Sequence, residues 1–253
     1  MNYALIGYGR MGRAIEEQAA RRGHRRTLVI DAEEAGRLRR SDLDREALGG
    51  AEIAFEFSLP DAAADNVRSL VRAGVGVVCG TTGWRPSDDL RGMIDEAATG
   101  VVIAPNFSVG MFLFRRVVRR AARDLGRAGL HRPYVFEAHH VGKRDAPSGT
   151  ARELARVVLE EDPRIEQVVE GNPAGMLPER SLHVASLRVG HEPGTHTVGF
   201  DGEHDRIELT HRASGRSGFA LGAVLAAEWL VGKRGMHGFE KVVEALIGIG
   251  ESG

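Results

Sequence analysis

The feature that most constrains this chain is an alternation in its first hundred residues. Short apolar runs, at Tyr3–Ile6, Thr27–Ile30, Ile53–Phe57, Val75–Cys79 and Val101–Ala104, alternate with stretches of helical pattern. The helical stretches run from about Arg13 to Arg22, from Asp61 to Ala73 behind Pro60, and from Pro86 to Ala98. Short continuous apolar strands spaced by helices predict β-α-β units in a parallel sheet buried on both faces. Ligands of such sheets bind beyond the C-terminal ends of the strands. The chain places its glycine-rich and small-residue loops at those ends.

The first of these loops, Gly7-Tyr8-Gly9-Arg10-Met11-Gly12, fits G-x-G-x-x-G between a strand and a helix. The first glycine makes the tight turn, and the second lets backbone approach a pyrophosphate. The third lets the helix pack closely, with its N-terminus facing the anion. Asp31 ends the next strand 19 positions after Gly12, where a ribose-binding carboxylate is expected. A carboxylate there accepts from ribose hydroxyls and repels a 2′-phosphate, and Ala32 rather than Arg follows it. Both favour NADH over NADPH, although Arg10, Arg37 or Arg39 can bring positive charge to the 2′ position. Gly80, Thr81, Thr82 and Ala104, Pro105, Asn106, Phe107 are expected to line the ribose and nicotinamide half of the crevice, with Phe107 flanking the ring. Glu33–Glu46, charged and rich in Arg, reads as a solvated helix face.

The texture changes after residue 110. Met111–Leu125 reads as a helix, and Tyr134–Ala138 as a strand entering a loop of mixed charge. Ser148 is a suitable N-cap for a helix over Ala151–Glu160. Leu182–Val189, Thr195–Phe200 and Arg206–His211 alternate polar with apolar, and Asp201-Gly202 is a turn signal. These predict a second α+β domain with a mixed or antiparallel sheet. Gly218–Leu230 is an apolar, small-residue helix with no strand beside it, expected to pack on the first domain. The expected division is residues 1–108 with 218–253 for dinucleotide binding, and 109–217 for the second domain.

Composition excludes other classes. With 34 Lys+Arg against 35 Asp+Glu, the chain lacks the basic excess of a nucleic-acid binder. No apolar run approaches the roughly 18–20 residues that span a bilayer. The start of the chain shows no charged leader or cleavage pattern, so no signal peptide is expected. The single Cys79 cannot pair within the chain, which fits a reducing cytoplasm.

Against this near-neutral background, Glu137-Ala-His-His-Val-Gly-Lys-Arg-Asp-Ala-Pro-Ser-Gly-Thr150 gathers two histidines, a lysine and an arginine before a helix start. Hydride delivered by a nicotinamide needs an accompanying proton, and His139 and Lys143 are both candidates to supply it. The free N–H groups of Gly149 and Thr150 at the helix N-terminus suit a carboxylate. A bland alternative makes Lys143 and Arg144 a solvated loop. A metal site is a third reading, because His183, His191, His196, His204 and His211 share this half. Their spacing matches no zinc motif, so no metal is expected, and these histidines read as surface or interface residues.

This segment closely resembles the E-A-H-H-x-x-K-x-D-A-P-S-G-T signature of the dihydrodipicolinate reductase family, also called 4-hydroxy-tetrahydrodipicolinate reductase. Gly9–Gly12, Gly80–Gly83, Asn106–Gly110, Leu209–Ala213 and the stretch from Gly222 to Leu230 are similar to family segments, so the resemblance covers essentially the whole chain. It implies NAD(P)H-dependent reduction of a cyclic unsaturated dicarboxylic imine to tetrahydrodipicolinate, in diaminopimelate and lysine biosynthesis. It implies that His139 is the catalytic proton donor or acceptor and Lys143 a second donor. His140 would bind substrate, and Gly149 with Thr150 would hold a carboxylate. Gly7–Gly12, Asp31, Gly80–Thr82 and Ala104–Phe107 would contact the cofactor. The resemblance also implies a homotetramer joined through the second domain's sheet. The chain departs from the family in its shorter glycine loop, in Ala32, and in Glu56-Phe57-Ser58 where Asp-Phe-Thr is common. Other readings are a non-catalytic nucleotide-binding sensor and a reductase of a related imine or ketone.

Overall fold

A computed structural model describes residues 1–31 and 46–249. Ala32, Arg37, Arg39 and all of the Glu33–Glu46 stretch except Glu46 lie outside the described residues. In chain order, β1 (Asn2–Ile6), α1 (Arg10–Arg21), β2 (Arg25–Ile30), β3 (Ile53–Glu56), α2 (Pro60–Arg72), β4 (Gly76–Cys79), α3 (Asp88–Glu96) and β5 (Gly100–Ile103) come first. There follow α4 (Val109–Ala128), β6 (His131–His139), α5 (Gly149–Glu161), β7 (Gln167–Glu170), β8 (Ser181–Arg188), β9 (Thr195–Gly202) and β10 (Arg206–Arg212). The chain then forms α6 (Ser217–Leu230), β11 (Gly235–His237) and α7 (Phe239–Leu246).

Two compact units result, one of Met1–Val109 with Arg216–Gly253, the other of Gly110–Gly215. The first holds a six-stranded sheet in the order β11-β5-β4-β3-β1-β2. Every pairing in it is parallel. Its central strands are buried on both faces, which is why they read as unbroken apolar runs. The helix starts follow local chemistry: Pro60 occupies the first turn of α2, and the Ser87 side chain accepts from Leu90 N at 3.3 Å to cap α3. Helix α6 is apolar and buried along most of its length, and it packs on α1, β4 and β5.

The second unit holds a mixed sheet in the order β10-β9-β6-β8-β7. Strand β6 lies at its centre, antiparallel to β9 and parallel to β8. Helices α4 and α5 bury Val118, Ala122, Leu154 and Val158 against Val135, Leu182, Val184 and Phe200 of this sheet. Three elements depart from the sequence reading. Strands β7 and β11 and helix α7 were not expected, and β11 pairs with β5 immediately after α6. Both strands are short sheet edges, too brief to show a hydrophobic period.

Candidate active site

The glycine loop is shaped by contacts that side chains would break. Gly7 has φ +94°, and a Cβ on it would lie 2.3 Å from the Phe57 carbonyl oxygen. A Cβ on Gly12 would lie 2.4 Å from the Gly7 carbonyl oxygen. Gly9, by contrast, faces open space and precedes α1 without a side-chain cap. The loop therefore presents bare backbone and uncapped helix N–H groups, which fits a pyrophosphate. Helix α1 begins at Arg10, so Arg10, Met11 and Gly12 form its first turn rather than preceding it. Asp31 accepts from Tyr8 N at 3.3 Å, which ties the acidic strand end to the loop. The Tyr8 hydroxyl donates to Glu16, and its ring lies under the guanidinium groups of Arg13 and Arg26.

The other two loops of this unit are buttressed from below. Thr81 is buried and its hydroxyl accepts from Ser58 N at 2.9 Å, while Thr82 and Pro105 are exposed. Asn106 Oδ1 accepts from Ser108 N at 2.8 Å. The Gly80 backbone lies close to the Phe57 ring, and Ala104 is buried. The Phe107 ring is not available to flank a ligand: it is buried, with its centroid 5.8 Å from Phe57 and 5.0 Å from Phe239. Burial of an aromatic in the core wins over a surface role, and the Phe107 carbonyl packs against Gly222. Beneath the loops, buried Glu56 accepts from Ser58, Asn66 and Cys79. Burial raises the Cys79 thiol well above its ordinary range, so it stays protonated.

The second unit holds the segment from Glu137 to Thr150. Glu137 and His139 are two residues apart on β6, so the pleat points both to one face. Glu137 Oε2 bonds His139 Nδ1, while Oε1 accepts from Arg188 Nη2 at 2.8 Å and from Ser148 N at 3.3 Å. Burial alone would raise the Glu137 carboxyl. Hydrogen bonds from Arg188 and His139 outweigh it and hold the group below its ordinary value. Burial lowers His139, and Glu137 opposes that by favouring the imidazolium, while Lys143 and Arg188 disfavour it.

Lys143 Nζ donates to Asp145 Oδ1 at 2.7 Å, and the Asp145 carboxylate also accepts from Gly149 N–H. An internal carboxylate thus engages Lys143, which the sequence offers as a proton donor, and Gly149, which it offers to a substrate carboxylate. Half of the Asp145 side chain is exposed, so the ion pair is worth about 0–1 kcal/mol and is readily exchanged. Ser148 caps α5 by accepting from Ala151 N at 3.1 Å, leaving Gly149 exposed and Thr150 half-buried at its start. His140 is exposed, just past the end of β6.

Sequence reasoning assigned no role to Glu137, Arg188 or His196. The period of two marks Glu137 as facing with His139, but Arg188 is brought opposite His139 only by strand register. His196 is not a surface residue: it is buried on β9, its ring centroid 5.1 Å from that of His139 and its Nε2 3.2 Å from Ser148 Oγ. Burial pushes it down to about 4, so it is neutral at pH 7. Glu137, His139 and His196 offer ligand atoms within 4.8 Å of one another, a spacing that could hold a metal ion. The Arg188 guanidinium on that carboxylate would compete with a cation.

Comparison with known proteins follows the same division. A family model described as dihydrodipicolinate reductase, N-terminus, matches residues 1–107, and one described as dihydrodipicolinate reductase, C-terminus, matches residues 110–243. The chain belongs to the dihydrodipicolinate reductase family. A 4-hydroxy-tetrahydrodipicolinate reductase of Christiangramia forsetii is 36% identical over 253 residues, covering 97% of this chain and 99% of that protein. One from Archaeoglobus fulgidus is 35% identical over 268 residues, covering 96% and 100%. Among solved structures, a dipicolinate-bound dihydrodipicolinate reductase from Paenisporosarcina aligns with a TM-score of 0.73 at 21% identity, covering 95% of this chain and 98% of that one. This last likeness concerns the reductase fold: a parallel dinucleotide-binding sheet and a second, mixed sheet.

Proposed function

We propose that this protein catalyses NAD(P)H-dependent reduction of 4-hydroxy-tetrahydrodipicolinate to tetrahydrodipicolinate, a step of diaminopimelate and lysine biosynthesis. The observation that carries the reading is the Glu137-His139 pair on β6, followed within one loop by Lys143 and the N-terminus of α5. When bound, the nicotinamide supplies a hydride to the substrate ring. The chain's own groups do the rest. Lys143 and the Gly149–Thr150 amides exchange Asp145 for a substrate carboxylate, and His140 adds a second polar contact. His139 releases a proton from Nε2 toward the ring, with Lys143 as the second donor. One hydride and one proton enter, and the substrate hydroxyl leaves as water.

The cofactor is held by Gly7–Gly12, Asp31, Gly80–Thr82 and Ala104–Phe107. Asp31 favours NADH, because its carboxylate suits ribose hydroxyls and opposes a 2′-phosphate. The protein works in the cytoplasm, in keeping with the unpaired Cys79. It assembles as a homotetramer through the sheet of the second unit, where Leu187 and Ile207 are exposed. Light scattering behind size exclusion tests that assembly.

The deciding experiment is a coupled assay. Pyruvate, aspartate semialdehyde and the upstream synthase generate the substrate, and NADH and NADPH oxidation are followed separately. The expected result is consumption of both, faster with NADH. Consumption of neither refutes the reading.

A further inference from the structure

We propose that Glu137, anchored by Arg188, is the positioning residue of this site: it fixes His139 in the Nδ1–H tautomer and makes Nε2 the nitrogen that carries the transferred proton. The inference rests on the reductase reading and adds to it a defined atom and a defined partner.

The geometry admits little else. Glu137 is fully buried, and each of its oxygens has a partner. A buried carboxylate with neutral neighbours tends to take up a proton itself. Here the Arg188 guanidinium and the Ser148 amide hold it as an anion, and an anion can only accept from Nδ1. Arg188 is itself held: its Nη2 donates to the Asp145 carbonyl as well as to Glu137, and its backbone is paired opposite His139. On the other side of the ring, a Cβ on Gly194 would come to 3.1 Å from Nε2, so the glycine leaves that nitrogen uncovered. His196 is neutral, and its Nε2 is engaged by Ser148, so it does not compete for the Glu137 oxygens.

The charges that set the His139 proton come from every neighbouring element. Glu137 lies on its own strand, Lys143 on the following loop, Arg188 on β8, Glu192 before β9 and His196 on β9. Glu137 is the carboxylate hydrogen-bonded to the ring. Removing it leaves Lys143 and Arg188 to oppose protonation, with only Glu192 on the favourable side.

The test is Glu137→Gln with Glu137→Asp as its conservative partner, measured across pH by NADH oxidation. Glu137→Gln should lower kcat by roughly 10²–10⁴, leave KM within a few-fold, and move the alkaline limb of kcat to lower pH by about one unit or more. Glu137→Asp should return the limb toward the parent position. A loss of rate in Glu137→Gln with the limb unmoved would reduce Glu137 to a structural role. Because loss of a buried ion-pair partner can unfold a variant, a second measurement uses the unaltered protein. Histidine ¹⁵N NMR, with His139 assigned by comparison with His139→Asn, should report Nδ1–H for neutral His139; Nε2–H would overturn the proposal. If the unaltered protein oxidises neither cofactor, the reductase reading fails, while the tautomer is still read.

Discussion

Replacing Gly222 with Ala tests whether helix α6 sets the position of the loop that ends β5. A Cβ at 222 would lie 1.7 Å from the Phe107 carbonyl oxygen and 2.9 Å from its carbonyl carbon. Both are backbone atoms, so no rotamer change relieves the clash. Reaching even a 3.0 Å contact requires the carbonyl to retreat by roughly 1.3 Å, the difference between those two distances. The retreat is resisted, because the Phe107 ring is packed between Phe57 and Phe239. Overpacking of this kind costs about 1–3 kcal/mol, more where backbone must move, and the better helix propensity of Ala returns about 1 kcal/mol. The expected net loss is about 2 kcal/mol, or roughly 4–8 °C in melting temperature for a chain of this size. Circular-dichroism melting measures it, and under the cofactor-binding role proposed for this loop NADH titration should show weaker binding. Gly218→Ala is the internal control. It makes the same change in the first turn of the same helix, with nothing within 4 Å of the new methyl, and should be neutral or slightly stabilising. If Gly222→Ala melts within a degree of the parent, α6 does not set the loop as argued.

Other perturbations separate the roles assigned above. Lys143→Ala should cut turnover by roughly 10²–10⁴ while NADH affinity stays near the parent value; a nearly silent variant would remove Lys143 from the chemistry. Asp31→Asn should weaken NADH binding about tenfold and NADPH binding less, as read by nucleotide fluorescence titration. His196 has its folded pKa depressed to about 4 from 6.5. Between those values the unfolded chain binds a proton that the native one does not, so its contribution is complete above about 6.5 and is lost as pH falls to about 4. That contribution is up to about 3 kcal/mol. Urea midpoints at pH 7 and 4.5 should therefore converge in His196→Gln relative to the parent, and an unchanged gap would show that His196 is not held neutral.

The parts legible in the sequence were those written locally. The glycine loop, Asp31 and the segment from Glu137 to Thr150 each declare their chemistry within a few residues, and each lies at the end of a strand whose apolar run is unmistakable. The parts that were not legible depend on register. Arg188 is 51 residues beyond Glu137 and meets it only because β8 pairs in parallel with β6. His196 looked like one of many scattered histidines until β9 placed it opposite Glu137. Phe107 looked like a ligand-facing aromatic because its neighbours are loop residues, whereas two phenylalanines distant in sequence, Phe57 and Phe239, claim it for the core. The edge strands β7 and β11 carry no pattern of their own; pairing alone makes them strands.

The central place of β6 has a consequence for how the site can fail. Its backbone is hydrogen-bonded on both sides, so the amides near Glu137 and His139 exchange with solvent only when the whole unit opens. Loops can fray around Lys143 while the carboxylate and imidazole stay in register. Proton handling and the integrity of this sheet are therefore one cooperative property. Mild denaturant should erode substrate grip first and abolish the Glu137-His139 pair only at the global transition.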